Sequence, residues 1–276
     1  MNAPREAFIA PRDVAARMPI GGTIDTVMRE LLPWASSFAV VPVSGFAVGA
    51  VAFGASGALY AGANLEFAGA PLSASVHAEQ AVVANAWLRG EREIQALAVT
   101  ATPCGHCRQF LNELASADRL AIFSAGRGPS TLAELLPASF GPRDLGVRAG
   151  LLEPADHRLA APVDPDDALA LAALGAADAG YAPYTRTYAG IALTDAAGNV
   201  VTGRYAECAA YNPSLPALQC ALSAMTLRRL DTASITAAVM VEAAGPSSQR
   251  TAAAAALQAI AGIPLRYVAA SPREDR

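Results

Sequence analysis

His77, Glu79, Cys104 and Cys107 are the residues of this chain whose types and spacing can do chemistry together. Zinc takes four tetrahedral donors from thiolate, imidazole and carboxylate, and a catalytic site keeps one position open for water. His77, Cys104 and Cys107 fill three positions, and the metal acidifies water in the fourth. Glu79, two residues from His77, is not needed as a ligand and is free to handle that water's proton. A C-x-x-C pair has other uses. It can be half of a structural zinc site, for which His106 is the only nearby fourth ligand. It can be a redox pair, expected near the start of a thioredoxin-like fold, or two buried thiols. None of these gives His77-Ala-Glu79 a role, so the expectation is catalytic zinc, one ion per chain.

These residues need elements to hold them. Residues 1–22 read as an N-terminal helical arm ending at Gly21-Gly22, and Thr23 is placed to cap a helix from Ile24 to about Leu32, before Pro33. Phe46 to Phe53 reads as a strand, Gly54-Ala-Ser-Gly57 as a hairpin turn, and Ala58 to Ala61 as the start of the partner strand. A helix is expected from Val76 to about Leu88, a strand from Ile94 to Ala101, a helix from Cys104 to about Ala115 and a strand from Leu120 to Ser124. Strands alternating with helices argue for an α/β fold with parallel pairs in its sheet. His77 and Glu79 then fall in the first turn of one helix, and Cys104 and Cys107 in the first turn of another. Two positive helix ends would face the metal and favour thiolates. Arg108 reads either as a further offset to negative charge or as an exposed helix cation.

Composition narrows the partners. Of 276 residues, 53% are hydrophobic and 16% charged, which fits a globular chain and excludes a disordered one. The net charge is −4, and Arg228-Arg229 is the only adjacent pair among 20 basic residues, so no basic face for nucleic acid is expected. Residues 31–65 carry no charge, but Pro33, Pro42 and five glycines break them up, which reads as strands and turns and not as a membrane span. The first residues hold no apolar core of signal-peptide length. Four cysteines, two of them in the metal motif, fit a reducing compartment, so a cytoplasmic protein is expected.

The second half repeats the first at a shift of 141 residues. Pro42 meets Pro183, Gly49 meets Gly190, Gly57 meets Gly198, Gly62 meets Gly203 and Glu66 meets Glu207. At the same shift His77 meets Leu218, Glu79 meets Cys220, Cys104 meets Gly245 and Cys107 meets Ser248, so the second copy is expected to keep the fold and lose the metal. Cys208 and Cys220 then read as small buried residues. The expected domains are the arm at 1–22, a catalytic domain at 23–140, a linker at 141–163 rich in Pro, Gly and Asp, and a degenerate, non-catalytic domain at 164–276.

The spacing H-x-E followed by P-C-x-x-C is the signature of zinc-dependent nucleobase deaminases. With Ser44-Gly-Phe-Ala-Val-Gly49, Gly62-Ala-Asn-Leu-Glu-Phe67, His77-Ala-Glu79, Thr102-Pro-Cys-Gly-His-Cys107 and Phe140-Gly-Pro-Arg-Asp-Leu145, the chain resembles the cytidine deaminase family over nearly its whole length, specifically the longer dimeric bacterial type. The resemblance implies a duplicated three-layer α/β/α cytidine-deaminase-like fold with a short N-terminal helical arm. It implies that Phe46 packs against a nucleoside and that Asn64 and Glu66 bind its ribose 3′-hydroxyl. By residue type alone, Asn64 would read as a turn former and Glu66 as a solvated strand-end charge. It also implies that backbone groups of Ala78 and Thr102 read the pyrimidine, and that Phe140 helps close the site across a subunit boundary in a homodimer.

The expected enzyme is a hydrolase acting on a cyclic amidine, a cytidine deaminase of pyrimidine salvage. Cytidine and deoxycytidine become uridine and deoxyuridine with release of ammonia. Glu79 takes a proton from the activated water and delivers it to ring N3, oxygen adds at C4, and Glu79 then protonates the departing N4 amine. A polynucleotide or tRNA deaminase would bring basic and aromatic residues for a strand. A deoxycytidylate deaminase would bring cations for the 5′-phosphate. A zinc-stabilised binding protein would have no use for Glu79.

Overall fold

A computed structural model describes residues 6–148 and 150–272. In chain order the elements of the first half are β1 (Phe8–Ile9), α1 (Pro11–Ala15), α2 (Ile24–Glu30), α3 (Leu32–Ser36), β2 (Gly49–Gly54), β3 (Leu59–Ala63), α4 (Ala78–Leu88), β4 (Ile94–Val99), α5 (Gly105–Leu111), β5 (Ala121–Ser124), β6 (Pro129–Thr131) and α6 (Leu132–Leu135). The second half continues with β7 (Leu159–Ala160), α7 (Ala168–Asp178), β8 (Ala189–Asp195), β9 (Val200–Arg204), α8 (Ala217–Leu227), β10 (Ile235–Ala243), α9 (Arg250–Ala261) and β11 (Arg266–Pro272). The two sheets run β1-β3-β2-β4-β5-β6 and β7-β11-β10-β8-β9. Each holds one parallel pair among the described residues, β4 with β5 and β10 with β11, and its other pairs are antiparallel.

Side-chain alternation builds three layers. On β2, Ala50 and Ala52 join the core beneath α4, while Val51 and Phe53 join the core beneath α2 and α3. Successive residues of a strand point to opposite faces, so both faces of this sheet are covered by helices. Gly62 lets α4 lie close to β3, because a Cβ there would collide with the backbone of Ala78 and Val82. Every residue from Ala78 to Trp87 is buried. That helix packs on its own sheet and on α8 of the second half, and one apolar core runs through both copies. Arg204 of the second copy lies over the Trp87 ring at 4.7 Å, a cation–π contact across the boundary. Glu113 crosses the same boundary, accepting hydrogen bonds from the Tyr181 hydroxyl (3.0 Å), the Tyr184 hydroxyl (2.6 Å) and the Ala209 N–H (2.8 Å).

Several expectations shift. The arm holds a strand as well as a helix: Phe8 and Ile9 pair with Tyr60 and Leu59, and residues 1–5 lie outside the described residues. Pro33 does not stop the α2 region. It sits in the first turn of α3, where its missing N–H has no helical partner to lose. The stretch 141–163 carries a buried Leu151, whose N–H binds the Glu113 carbonyl, and β7, which pairs with β11.

The internal repeat also changes register. The bridges Val40–Leu65 and Tyr181–Ala206 keep the shift of 141, but Leu65 bridges Val76 whereas Ala206 bridges Leu215. The second loop is therefore two residues shorter, and α8 lies 139 residues after α4. Gly203 confirms the slip, since it abuts Ala217 and Ala221 where Gly62 abuts Ala78 and Val82. His77 thus corresponds to Pro216 and Glu79 to Leu218, correcting the matches to Leu218 and Cys220. Two residues lost before α8 and two gained before β10 bring the strands back to a shift of 141, but α9 begins 145 residues after α5, so Cys104 corresponds to Gln249 and Cys107 to Ala252, correcting the matches to Gly245 and Ser248.

Candidate active site

His77 is the N-cap of α4 and Glu79 lies in its first turn; Cys104 is the N-cap of α5 and Cys107 lies in its first turn. The helices begin one or two residues later than expected, so His77 and Cys104 stand at the helix mouths with extended backbones. The Cys104 sulfur accepts the Cys107 N–H at 3.5 Å, which uses one of the donors a helix start leaves free.

The three donors converge. His77 Nδ1 lies 3.4 Å from Cys104 Sγ and 3.2 Å from Cys107 Sγ, and the two sulfurs are 3.4 Å apart. Tetrahedral donors at zinc bond lengths would stand about 3.5–3.8 Å apart, so a few tenths of an ångström of opening admits the ion. Among the described residues this is the one His, Cys, Asp and Glu group whose donor atoms gather in this way. Two sulfurs and an imidazole at two positive helix ends are the chemistry zinc selects.

The local electrostatics agree. Hydrogen bonding from Cys107, then from His77, pulls the Cys104 thiol down to about 3. Cys107 moves the other way, because its thiol donates to Cys104 and is buried. The bond to Cys104 raises His77. Glu79 is 4% exposed, and burial lifts its carboxyl above the usual range.

Above the donors lies a cavity of 410 Å³. Phe46, Asn64, Glu66, Ala78 and Thr102 line it together with His77, Glu79 and Cys104, and Cys107 lies buried below. Phe140 does not line it. The residue is 49% exposed, while its carbonyl accepts from the amides of Gln109 (2.7 Å) and Asn112 (3.3 Å) on α5 and at its C-cap. Asn64 ties its own wall together: its amide oxygen accepts the Val48 N–H at 2.8 Å and its amide nitrogen donates to the Phe46 carbonyl at 2.9 Å. Glu66 accepts from the N–H groups of Val43 and Ser44 and from the Ser44 hydroxyl, and the Ser44 bonds hold its carboxyl below the usual range.

Sequence reasoning passed over Ser44, Val48, Leu72, Ser75 and Ala101, which also line the cavity. Ser44 stood inside a quoted motif and was findable. Leu72, 74% exposed in the loop before α4, gives no signal of its own. Arg108 fits neither expectation, since its guanidinium donates to the carbonyls of Pro103 (2.7 Å) and Leu135 (2.6 Å) and braces the loop that leads into Cys104.

The second copy closes the corresponding gap differently. The N-caps of α8 and α9 are Pro216 and Gln249, and Gln249 Oε1 accepts the Ala217 N–H at 2.9 Å. One neutral side chain spans the two helix starts that His77 and Cys104 leave for an ion.

Comparison with known proteins agrees with this geometry. A family model described as the cytidine and deoxycytidylate deaminase zinc-binding region matches residues 23–124, and a second of the same description matches residues 132–255. The chain is 47% identical over 247 residues to a cytidine deaminase of Sodalis glossinidius (strain morsitans), covering 85% of this chain and 80% of that protein. It is 48% identical over 238 residues to one of Yersinia pestis (strain Pestoides F), covering 86% and 80%. A crystal structure of cytidine deaminase from Mycobacterium tuberculosis aligns with 42% of this chain and 96% of its own at 35% identity, with a TM-score of 0.39. With zinc donors, a buried carboxylate and two tandem deaminase regions in one chain, this protein belongs to the cytidine deaminase family.

Proposed function

We propose that this enzyme hydrolytically deaminates cytidine and deoxycytidine to uridine and deoxyuridine, releasing ammonia in pyrimidine salvage. The observation that carries this is the convergence of His77, Cys104 and Cys107 beside buried Glu79, within a cavity whose wall holds Asn64 and Glu66. Zinc, when bound, supplies the Lewis acidity that makes water a nucleophile at neutral pH.

The chain's own groups do the rest. Glu79 takes one proton of the attacking water and gives it to ring N3; it then carries the proton of the new C4 hydroxyl to the N4 amine, which leaves as ammonia while C4 becomes a carbonyl. Burial moves its carboxyl in the direction a group needs if it must both accept and donate near neutrality. Asn64 keeps one amide hydrogen beyond its bond to Phe46, and Glu66 keeps acceptor capacity on the oxygen that meets Ser44. Both are therefore held ready for the ribose 3′-hydroxyl. A 3′ contact does not test the 2′ position, so both nucleosides react. Phe46 covers the sugar and base at the mouth, and backbone groups at Ala78 and Thr102 read the ring.

The working unit is a homodimer. What supports this is that Phe46 and Leu72 at the mouth are 63% and 74% exposed and that Phe140 lies outside its own cavity, free to serve that of a second protomer. The catalytic domain spans residues 23–140, and 164–276 form a copy without metal. No helix among the described residues is long and apolar enough to cross a membrane. All four cysteines are free thiols, which suits the reducing cytoplasm.

The test is an absorbance assay of the purified protein on cytidine, deoxycytidine, deoxycytidylate and single-stranded DNA. Turnover of the two free nucleosides is expected. Turnover of nucleotide or strand without free nucleoside would overturn the reading.

A further inference from the structure

The loop Cys208–Ser214 of the second copy reaches both helices that carry the zinc donors. Gln80, 2% exposed in the first turn of α4, accepts the His77 N–H on its amide oxygen at 3.2 Å and donates its amide nitrogen to the Pro213 carbonyl at 3.0 Å. One planar amide thus joins the backbone of a zinc donor to the other copy. On α5, His106 Nε2 meets the Asn212 carbonyl at 3.1 Å. A carbonyl only accepts, so this nitrogen carries the proton, and the residue between Cys104 and Cys107 is tied to the neighbouring peptide of the same loop.

The loop is built to act as a fixed point. Cys208 N–H binds Ser214 Oγ at 2.9 Å, Tyr211 N–H binds the Cys208 carbonyl at 2.8 Å and Ser214 N–H binds the Tyr211 carbonyl at 2.9 Å. Ala209 N–H is anchored on Glu113 of the first copy. This is also the loop whose shortening by two residues shifts the repeat register. Its counterpart in the first copy, carrying Leu72 and Ser75, lines the cavity.

We propose that the second copy sets the geometry of the zinc donors through the Asn212 and Pro213 carbonyls, with Gln80 and His106 as the positioning residues. The proposal rests on the zinc reading above and assigns the duplicate a task within its own chain. Groups that orient metal ligands without touching the metal typically change metal affinity or activity 10–100-fold when removed.

The experiment follows zinc leaving the holoenzyme to a chromophoric chelator in excess. Gln80→Leu removes both ends of the amide bridge. His106→Phe fills the ring's space with no donor, whereas His106→Gln can still donate to the Asn212 carbonyl. Tyr184→Phe is the stability control, because it removes an inter-copy hydrogen bond that touches neither donor helix start. Zinc loss is expected roughly 10–100-fold faster in Gln80→Leu and His106→Phe. His106→Gln should stay near the wild-type rate, and Tyr184→Phe should release zinc at the wild-type rate despite a lower Tm. Wild-type zinc release in both disruptive variants would overturn the proposal, as would equal acceleration in Tyr184→Phe. If Gln80→Leu does not fold, the pair of His106 variants decides alone. Zinc content and cytidine turnover of the wild-type preparation check the underlying reading separately.

Discussion

Glu66 and Glu207 hold the same turn in the two copies. Glu66 accepts from the N–H groups of Val43 and Ser44 and the Ser44 hydroxyl; Glu207 accepts from the N–H groups of Tyr184 and Thr185 and the Thr185 hydroxyl. The carboxylate therefore holds the loop before β2 or β8 whether or not a substrate site lies beside it, and any ribose contact by Glu66 is added to that structural task. Glu207→Ala should cost about 1–3 kcal/mol in urea unfolding, the range for leaving buried donors unpaired, with KM for cytidine unchanged. Glu66→Gln should raise KM as well. A Glu66→Gln protein with unaltered KM would confine this residue to the turn.

Glu79 and the zinc donors separate by metal content. Glu79→Gln should lower kcat by at least roughly 10²–10⁴-fold, the usual reach of a general acid–base group, with zinc still near one per chain. Cys104→Ala and His77→Ala should lose zinc and activity together. Metal analysis of Glu79→Gln protein decides: absence of zinc would make Glu79 a ligand.

Each chain should hold one zinc, in the first copy. Pro216 and Leu218 offer no donor atom on their side chains, and Gln249 is occupied by the Ala217 N–H. Atomic absorption on a purified sample giving two ions per chain would require a second site that the described residues do not form.

Glu113 gives the pH dependence of stability a definite sign. Burial raises its carboxyl above the ordinary value of 4.5. Below that value both folded and unfolded chains keep the proton. As pH rises through it the unfolded chain ionises first, so the stability that the native proton contributes is progressively lost until the pH passes the raised native value. Glu113→Gln cannot ionise. The Tm of wild type relative to this variant should therefore fall as pH rises above 4.5. A Tm difference that rises over that range would show that the hydrogen bonds from Tyr181, Tyr184 and Ala209 outweigh burial.

The metal donors were legible because their spacing is local: two residues separate Cys104 from Cys107, and each pair opens a helix. The strand pattern was legible from alternation, as Ala50, Val51, Ala52 and Phe53 show by sorting onto opposite faces. The repeat was visible from its glycines, but the two-residue deletion was not, because the polar loop between Ala206 and Leu215 carries no periodic signal to count against. Gln80 and His106 were equally hidden. Their partners are backbone carbonyls more than 100 residues away, and a carbonyl has no side-chain identity to read. The shape of the arm was missed because Phe8 and Ile9 become a strand only by lying beside Tyr60 and Leu59.

The Gln249 side chain that joins the two helix starts of the second copy is synthesised with the polypeptide. It waits for no ion, asks no thiol to give up its proton and cannot be withdrawn by a chelator. The second copy thus joins its two helix starts through a covalent part of the chain, with no demand on the metal supply. On the proposal above, the Asn212 and Pro213 carbonyls would then hold their places against Gln80 and His106 whether or not an ion is bound.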